Sequence, residues 1–354
     1  MEKSYEYRLY PNQEQEQLLA CTFGCVRWVY NFFLESRINA YKESKKSLSY
    51  CECSRMLTEL KKQEDTAWLS EVEAATLQQS LRDLDRAYKN FFRTKGVGFP
   101  SFKKKKSRKT YRTPAAKTVD KSHVQIPKVG RVKARITRPV EGRIVSATIK
   151  QVPSGKYFIV FTCTDIPQPP KAKAGKAIGI NLGIASLVTT SSGEKIESTA
   201  GVEKLEGKVS RHQRRLSRKK RGSRNWEKQR VRLAKVYEKI VNKRKDYLHK
   251  VTAKIVSENQ VICAENLDVA AMFRNPYISK KVARLGLGTI LGFLEYKARF
   301  RGKIFIQVDR DSLSFDDCDI NAAKNILMEG MRILNGTEGH SGTTEESSAV
   351  TLVE

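Results

Sequence analysis

The stretch KAIGINLGIASLVTT, residues 176–190, decides the fold of the C-terminal half of this chain. An apolar run ends at the polar residue Asn181, which lies between Gly179 and Gly183. A second apolar run, residues 184–189, then leads into a Ser-Ser-Gly turn. Short apolar runs bounded by glycine and serine are typical of buried strands. The stretch therefore predicts two strands, with an amide side chain at the end of the first.

Two later segments carry acidic residues at comparable places. QVICAENL, residues 260–267, is a buried-type strand that ends in Glu265. SFDDCDINAAKNIL opens a helix with Asp316 and Asp317 near its start and Asp319 one turn in. A carboxylate at a buried strand end needs a partner, which makes it a site candidate. The alternative is that these are ordinary polar residues unrelated to a site.

Composition points to a polyanionic partner. The chain has 354 residues, with 67 Lys and Arg against 38 Asp and Glu, a formal net charge of +29. A clustered excess of this sign favours nucleic-acid binding over a merely solvated surface. No run of apolar residues is long enough to span a membrane, and the N-terminal residues are polar, so neither a membrane partner nor a secretory leader is expected. The seven cysteines form no CxxC pair, which predicts reduced thiols in a cytoplasmic protein.

The N-terminal half predicts a strand followed by three helices. Residues 4–10 alternate as a half-buried strand does, and helical spacing follows over residues 12–41, 50–62 and 73–93. The third helix carries an apolar stripe with Arg and Lys off it. That basic face is either solvated or meets nucleic acid.

Two segments are the strongest candidates for contact with a nucleic-acid backbone. Residues 96–112 interleave Phe99, Phe102 and Tyr111 with a basic run, which suits stacking on bases beside phosphate pairing. Residues 204–257 predict a long basic helix interrupted near Gly222. The predicted phosphate-binding residues are Lys103, Lys104, Lys105, Lys106, Arg108, Lys109, Arg211, Arg214, Arg215, Arg218, Lys219, Lys220, Arg221 and Arg224.

Short strands separated by turns over residues 123–164 predict a small barrel or sandwich, and a Pro-rich basic segment follows it. The predicted fold class is α+β and multidomain. The expected divisions are residues 1–11 and 94–168 for the barrel, 12–93 for an inserted helical unit, 169–175 for a linker, 176–334 for an α/β domain with basic helices over 204–258, and 335–354 for a disordered tail.

Nine segments in order make the chain resemble the TnpB family, the RNA-guided nucleases encoded by insertion sequences. They are YRLYPNQEQ, GCVRWVYNFFLE, LQQSLRDLDRAYKNFF, GFPSFKKK, GINLGI, KRKDYLHK, AENLDV, LEYKARFRGK and DINAAKNIL. The resemblance implies a wedge β-barrel, an inserted helical recognition domain and a ribonuclease-H-like RuvC domain. It also implies a guide RNA and double-stranded target DNA as partners, with a short target-adjacent motif read by the protein. The three catalytic carboxylates of the family fall on Asn181, Glu265 and Asp319.

Two departures from the family pattern led us to expect a protein that binds without cutting. Two-metal hydrolysis needs several carboxylates, and Asn181 replaces the first of them. Only eight residues separate Arg310 from Asp319, where the family carries a zinc ribbon, and a zinc site needs four ligands. The chain thus looks like the TnpB-like nuclease-dead repressors (TldR). From this similarity we expect no enzyme activity, weakened or lost Mg²⁺ binding, no zinc and no cofactor needed for binding. We also expect repression by occupancy of DNA and association with the bacterial nucleoid.

Other interpretations stay open. One is a residually active Mg²⁺-dependent nuclease that uses Glu265, Asp319 and either Asp316 or Asp317. The other is a guide-independent nucleic-acid-binding protein that assists transposition. For target-motif reading we single out Tyr50, Gln78 and Gln79, because glutamine is one of the residues that read base edges. The oligomeric state is left open.

Overall fold

The structure, a computed structural model, describes residues 1–45, 47–106, 108–170, 175–197, 202–309 and 319–338. The chain divides into two compact units, Met1–Pro167 and Gln168–Glu354. The division falls just before the segment predicted as a linker, residues 169–175. No helix in the described ranges combines the length and apolarity needed to cross a membrane.

The first unit is built on one antiparallel sheet of seven strands. Its strands are β1 (Lys3–Tyr10), β2 (Lys109–Thr113), β3 (Lys117–Asp120), β4 (His123–Ile126), β5 (Gly130–Arg135), β6 (Arg143–Gln151) and β7 (Tyr157–Thr164). Their order is β2-β6-β7-β1-β5-β4-β3, so the N-terminal strand lies in the centre. β1 alternates buried Tyr5, Tyr7 and Leu9 with more exposed residues, as the sequence pattern predicts. A closed wedge barrel stays a prediction.

Helices are inserted between β1 and β2. They are α1 (Gln13–Ser44), α2 (Tyr50–Leu60), a 3₁₀ helix (Glu64–Glu71) and α3 (Ala74–Arg93). Asn12 and Ser49 each begin a helix with a capping box, which satisfies backbone N–H groups that would otherwise lack partners. The three predicted helices are confirmed, whereas the 3₁₀ helix was not predicted. The insertion shares one core with the sheet, in which Leu77, Leu81 and Leu84 of α3 are buried.

The second unit carries a mixed five-stranded sheet. Its strands are β8 (Ala177–Asn181), β9 (Val188–Thr190), β10 (Lys195–Ile196), β11 (Val261–Glu265) and β12 (Ile304–Val308). The order is β10-β9-β8-β11-β12. β8, β11 and β12 run parallel to one another, whereas β9 is antiparallel to both of its neighbours, β8 and β10. Parallel strands buried on both faces read as continuous apolar runs, which is why VICA and AIGI were recognisable.

Six helices accompany this sheet in the described part of the second unit. They are α4 (Glu203–Ser217), α5 (Arg224–Glu258), α6 (Val269–Arg274), α7 (Ser279–Leu285), α8 (Leu287–Phe300) and α9 (Asp319–Glu338). The break between α4 and α5 lies where Gly222 was predicted to interrupt the basic helix, and its φ of 86° explains the glycine. α6 and α7 were not predicted. Residues 335–338 were predicted to be disordered, but they continue α9, so that prediction is wrong for them. The rest of the predicted tail, residues 339–354, lies outside the described part.

Candidate functional site

Strand register brings Asn181 and Glu265 to the same edge of the sheet. β8 and β11 run parallel with Ile180 opposite Ala264. The next residue is Asn181 in β8 and Glu265 in β11, so these two residues lie side by side. Both side chains are half-buried. On its other side β8 pairs with β9, which places buried Thr189 opposite Asn181. Ligand sites of α/β sheets lie beyond the carboxyl ends of such strands.

Close packing of α9 on these strands positions Asp319. A Cβ at Gly179 of β8 would lie 2.0 Å from the Ala323 carbonyl oxygen, and a Cβ at Gly330 of α9 would lie 2.3 Å from the Cys263 Sγ atom of β11. The helix therefore rests directly on the backbone of β8 and on β11. Asp319 is its first residue, half-buried and one turn before Ala323, on the same helix face. Asp316 and Asp317 lie outside the described residues.

Sequence reasoning missed a fourth polar group at this edge. Asp309 directly follows β12, the neighbour of β11 in the sheet. The Asn266 Nδ2 atom donates a 2.9 Å hydrogen bond to Asp309 Oδ1, and the Asn266 backbone N–H donates to the Val308 carbonyl at 2.8 Å. The signal was present, because QVD repeats the pattern of an apolar strand followed by an acid that identified Glu265.

The donor set suits one hard cation better than a pair. Glu265 and Asp319 are the predicted carboxylates and Asn181 the neutral amide oxygen, whereas the Asp309 carboxylate accepts a hydrogen bond from Asn266. Mg²⁺ accepts one or two protein carboxylates and completes its octahedron with water. A two-metal site needs more anionic oxygens to hold both ions. Among the described residues, no group of three or more His, Cys, Asp or Glu side chains is placed to hold a metal.

The hairpin of α4 and α5 forms a concentrated basic surface in the second unit. All eight predicted phosphate-binding residues between positions 211 and 224 are exposed. Buried Gln229 of α5 joins the two helices, since its Nε2 atom lies 2.8 Å from His212 Nδ1 and donates to the His212 carbonyl at 3.3 Å. Near the tip, a cavity of about 520 Å³ is lined by Arg215, Arg218, Lys219, Asn225, Lys228, Gln229 and Arg232. A concave surface with five cations and no acid attracts phosphates.

The basic run of the first unit divides into an anchored residue and an exposed remainder. Lys103 is half-buried, its Nζ atom lies 3.8 Å from the centre of the Tyr30 ring, and burial lowers its pKa. Its cation faces an aromatic ring, and its role as a phosphate contact stays a prediction. Lys104, Lys105, Lys106, Arg108 and Lys109 are exposed. Lys109 also donates to Gln151 Oε1 at 3.0 Å.

The residues predicted to read the target motif lie on α2 and α3. Tyr50 is the first residue of α2, and the Arg82 guanidinium lies 5.7 Å from its ring centre. Gln79 donates from Nε2 to Asp83 Oδ1 at 3.1 Å, whereas Gln78 is exposed. Because α2 packs against α3, the structure brings these elements together. Their role in reading bases stays a prediction.

Comparison with known proteins identifies relatives along nearly the whole chain. Residues 160–276 match the OrfB_IS605 family, described as "Probable transposase", and residues 1–46 match a family described as "Helix-turn-helix domain". In this structure the latter range holds β1 and the single continuous helix α1. A "Putative RNA-guided DNA endonuclease" of Streptomyces pristinaespiralis is 34% identical over 94% of this chain and 90% of its own length. "Putative RNA-guided DNA endonuclease InsQ" of Escherichia coli K12 is also 34% identical, over 77% of this chain and 68% of its own.

A solved structure supports the fold. The chain in the cryo-EM structure of the Cas12f1–sgRNA–target DNA complex has a TM-score of 0.50, with 92% of this chain and 98% of that chain covered at 13% identity. At that identity the likeness concerns the fold alone. It supports an α+β, multidomain architecture.

These relatives correct one expectation. Asn181 and the short segment before Asp319 had led us to predict a protein that is not an enzyme. That prediction is wrong, because the relatives that match most of the chain carry the names of nucleases. The strand-end site, the basic surfaces and the two 34%-identical relatives lead to one assignment: the chain belongs to the IS605 OrfB (TnpB) family.

Proposed function

We propose that this chain is an RNA-guided DNA-binding protein of the TnpB family that retains slow, Mg²⁺-dependent DNA cleavage. The β8–β11 register carries the proposal, because it places Asn181 and Glu265 side by side under a helix that begins with Asp319. The names of the relatives support RNA guidance and a DNA substrate. The net charge of +29 supports both nucleic-acid partners.

The geometry suggests a division of roles at the strand ends. Glu265 and Asp319 would hold one Mg²⁺, and the Asn181 carbonyl oxygen would face it as a neutral ligand. When bound, this ion supplies Lewis-acid stabilisation of the charge that develops on phosphate oxygen. The chain itself contributes rigidity, since α9 packed on Gly179 fixes Asp319 relative to both strands. The amide at position 181 lowers the negative charge that attracts cations, which accounts for slow cleavage.

The basic surfaces would hold the strands in place. The exposed cations of the α4–α5 hairpin are suited to the backbone of a guide–target heteroduplex, because they carry charge without base-specific geometry. Residues 104–106 and Arg108 provide a second surface, in the first unit.

One experiment tests both parts of the proposal. The chain would be purified from cells that carry its gene with the flanking non-coding DNA, and the bound RNA would be sequenced. We expect one abundant RNA with a defined scaffold, and slow nicking of a matching labelled duplex in Mg²⁺ that Glu265→Gln abolishes. A heterogeneous RNA population, or nicking that Glu265→Gln leaves unchanged, would contradict the proposal.

Asn181 favours transcriptional repression as a second function. A complex that cuts slowly remains on its target for longer, so a promoter under it stays closed to RNA polymerase. In cells with a guide matched to a reporter promoter, we expect lower reporter transcription in the wild type. The Glu265→Gln variant should repress equally, because occupancy needs binding and not scission. Repression that disappears in this variant would instead attribute the effect to cleavage.

A further inference from the structure

The loop that carries the basic run of the first unit is held against α1 by a two-point amide clamp. Asn31 of α1 donates from Nδ2 to the Lys103 carbonyl at 3.0 Å, and the Lys103 backbone N–H donates to Asn31 Oδ1 at 2.8 Å. The Lys103 cation also stacks on Tyr30, as described above. Because Asn31 bonds both the N–H and the carbonyl group of Lys103, the neighbouring residue Phe102 is held beside α1.

Phe102 forms one wall of a cavity of about 340 Å³. The other lining residues are Arg27, Trp28, Asn31, Phe32 and Glu35, all on α1. Trp28 and Phe32 stack with ring centres 4.8 Å apart and planes inclined by 17°. Both rings are only half-buried, so they present apolar surface to the cavity. The volume exceeds that of one nucleoside and lies in the usual range of ligand pockets.

Phe102 differs from the nearby Phe99 in what it touches. The two rings are equally exposed, at 51% and 50%. Phe99, however, packs edge-on against Tyr88 at 5.5 Å and Phe91 at 5.4 Å. No ring contact of Phe102 is present in the part of the chain that the structure describes. A half-exposed aromatic ring fixed over a cavity is available for stacking.

The polar groups of the cavity indicate which kind of ligand it binds. Arg27 supplies a cation and Glu35 a carboxylate, which can accept hydrogen bonds from base N–H groups or a ribose 2′-hydroxyl. Lys104, Lys105 and Lys106 continue directly from the clamped position and are exposed, within reach of the phosphates of a stacked nucleotide. A base in a duplex has both faces covered by its neighbours, so an unpaired base is the form that can stack on an aromatic ring of this cavity.

We propose that this cavity, lined by Phe102, Trp28 and Phe32, binds one unpaired nucleotide of the guide RNA. The inference rests on the proposed function, because it assigns one part of the guide RNA to one place on the first unit. The base stacks on the aromatic rings, Glu35 accepts from the nucleoside, and residues 104–106 meet the flanking phosphates. Phe102 is thereby a binding residue, and Asn31 positions it.

The test measures binding of 5′-fluorescein hexa-adenylate RNA to the full chain, freed of bound RNA, by fluorescence anisotropy. High salt weakens phosphate contacts elsewhere on the surface and leaves stacking. We expect Phe102→Leu, which keeps the volume and loses the π-face, to weaken binding about tenfold, or ~1.4 kcal/mol. Phe102→Tyr should bind within about twofold of the wild type, because tyrosine preserves the aromatic face on which a base stacks. Phe273→Leu, which changes a ring of α6 that is 49% exposed and has no assigned role in binding, is the matched control and should also remain within about twofold.

Each remaining outcome has a definite meaning. A 4-thiouridine-substituted hexamer should cross-link to peptides that contain Trp28 or Phe102, whereas cross-links confined to the α4–α5 hairpin would overturn the proposal. Hexa-deoxyadenylate bound as tightly as the RNA would overturn the assignment to RNA. If Phe102→Leu binds like the wild type, the pocket is excluded while RNA-guided binding stands. If the wild-type chain binds no RNA at all, the proposed function fails together with the pocket.

Discussion

At the scale of single residues, position 181 has the largest consequence for chemistry. Asn181 occupies a strand end beside Glu265, where an aspartate would add a formal negative charge and an anionic oxygen. Mg²⁺ binds anionic oxygen more strongly than amide oxygen. The substitution Asn181→Asp therefore tests how much of the reaction this one group controls.

We predict that Asn181→Asp raises the rate of guide-dependent cleavage by about tenfold or more and lowers the Mg²⁺ concentration that gives half the maximal rate. Single-turnover cleavage of a labelled duplex over a Mg²⁺ series measures both. Gln307→Glu, which adds the same charge at an exposed position of β12 in the same sheet, is the control for a general electrostatic effect. An equal increase in both variants would show that position 181 has no special role.

Lys297 of α8 gives a pH-dependent prediction that is independent of nucleic acid. Burial, with a smaller contribution from Arg301, lowers its pKa to about 8, although its Nζ atom donates to the His249 carbonyl at 2.7 Å and to Thr252 Oγ1 at 2.6 Å. Its unfolded pKa is higher, near the ordinary lysine value. Between these pKa values the unfolded chain holds the proton and the folded chain releases it, so stability rises with pH.

Lys297→Met removes this titration. Its free energy of unfolding, measured by urea titration, should therefore lose the part of the rise between pH 8 and pH 10 that Lys297 contributes in the wild type. A wild-type and a variant curve that stay parallel across this range would contradict the lowered pKa. The exposed Lys250, ion-paired with Asp246, provides the control variant Lys250→Met.

At the scale of elements, the contact between α9 and the central strands holds the site together. Gly179 and Gly330 leave no room for a methyl group, since the nearest atoms would lie at 2.0 Å and 2.3 Å from it. The nearest atom at Gly179 belongs to the helix backbone and has no side-chain freedom to move aside. The helix has to shift away from β8 if that position gains a side chain.

We predict that Gly179→Ala lowers the free energy of unfolding by about 1–3 kcal/mol, as overpacking of a core does. It should also slow cleavage, because Asp319 moves with α9. Gly207→Ala on α4, where a Cβ meets nothing within 4 Å, is the matched control and should be neutral or slightly stabilising. Chemical denaturation measures the free energy of unfolding of both variants. A Gly179→Ala variant as stable as Gly207→Ala would refute the close contact between β8 and α9.

The same scale shows what sequence can and cannot predict. The buried runs of β8, β11 and β12 and the break at Gly222 were recognisable because each depends on local composition. The pairing of Ile180 with Ala264 was not, because register depends on packing between residues more than eighty positions apart. The anchoring of Lys103 could not be predicted for a similar reason, because its partners Tyr30 and Asn31 lie on α1, far away in the sequence. Asp309 was overlooked although its local pattern matched that of Glu265.

At the scale of the whole molecule, charge determines the partners. Four cations of the hairpin, Arg214, Arg215, Arg218 and Lys219, are exposed. Each phosphate contact contributes about −0.7 to −0.9 to the slope of log affinity against log salt. We predict that replacing all four by alanine reduces the magnitude of the slope by about 3 and weakens binding to any RNA or DNA sequence alike.

A matched variant controls for net charge. Four exposed cations each pair with a carboxylate three or four residues earlier in the chain: Lys62, Lys89, Lys250 and Arg332. Replacing these four removes the same charge but should change the slope by less than about 1, because their carboxylate partners already neutralise them. Anisotropy titrations at several salt concentrations compare the variants. An equal reduction of the salt slope in the two quadruple variants would mean that binding depends on net charge alone.

The most direct test of the account exchanges the guide. The chain would be loaded with its co-purifying RNA scaffold carrying one of two unrelated guide segments, and each complex titrated against both matching duplexes, each beside the same flanking motif. We predict that each complex binds only the duplex that matches its guide, and that Asn181→Asp changes the cleavage rate without changing this choice. Binding of both duplexes by both complexes with equal affinity would contradict RNA guidance.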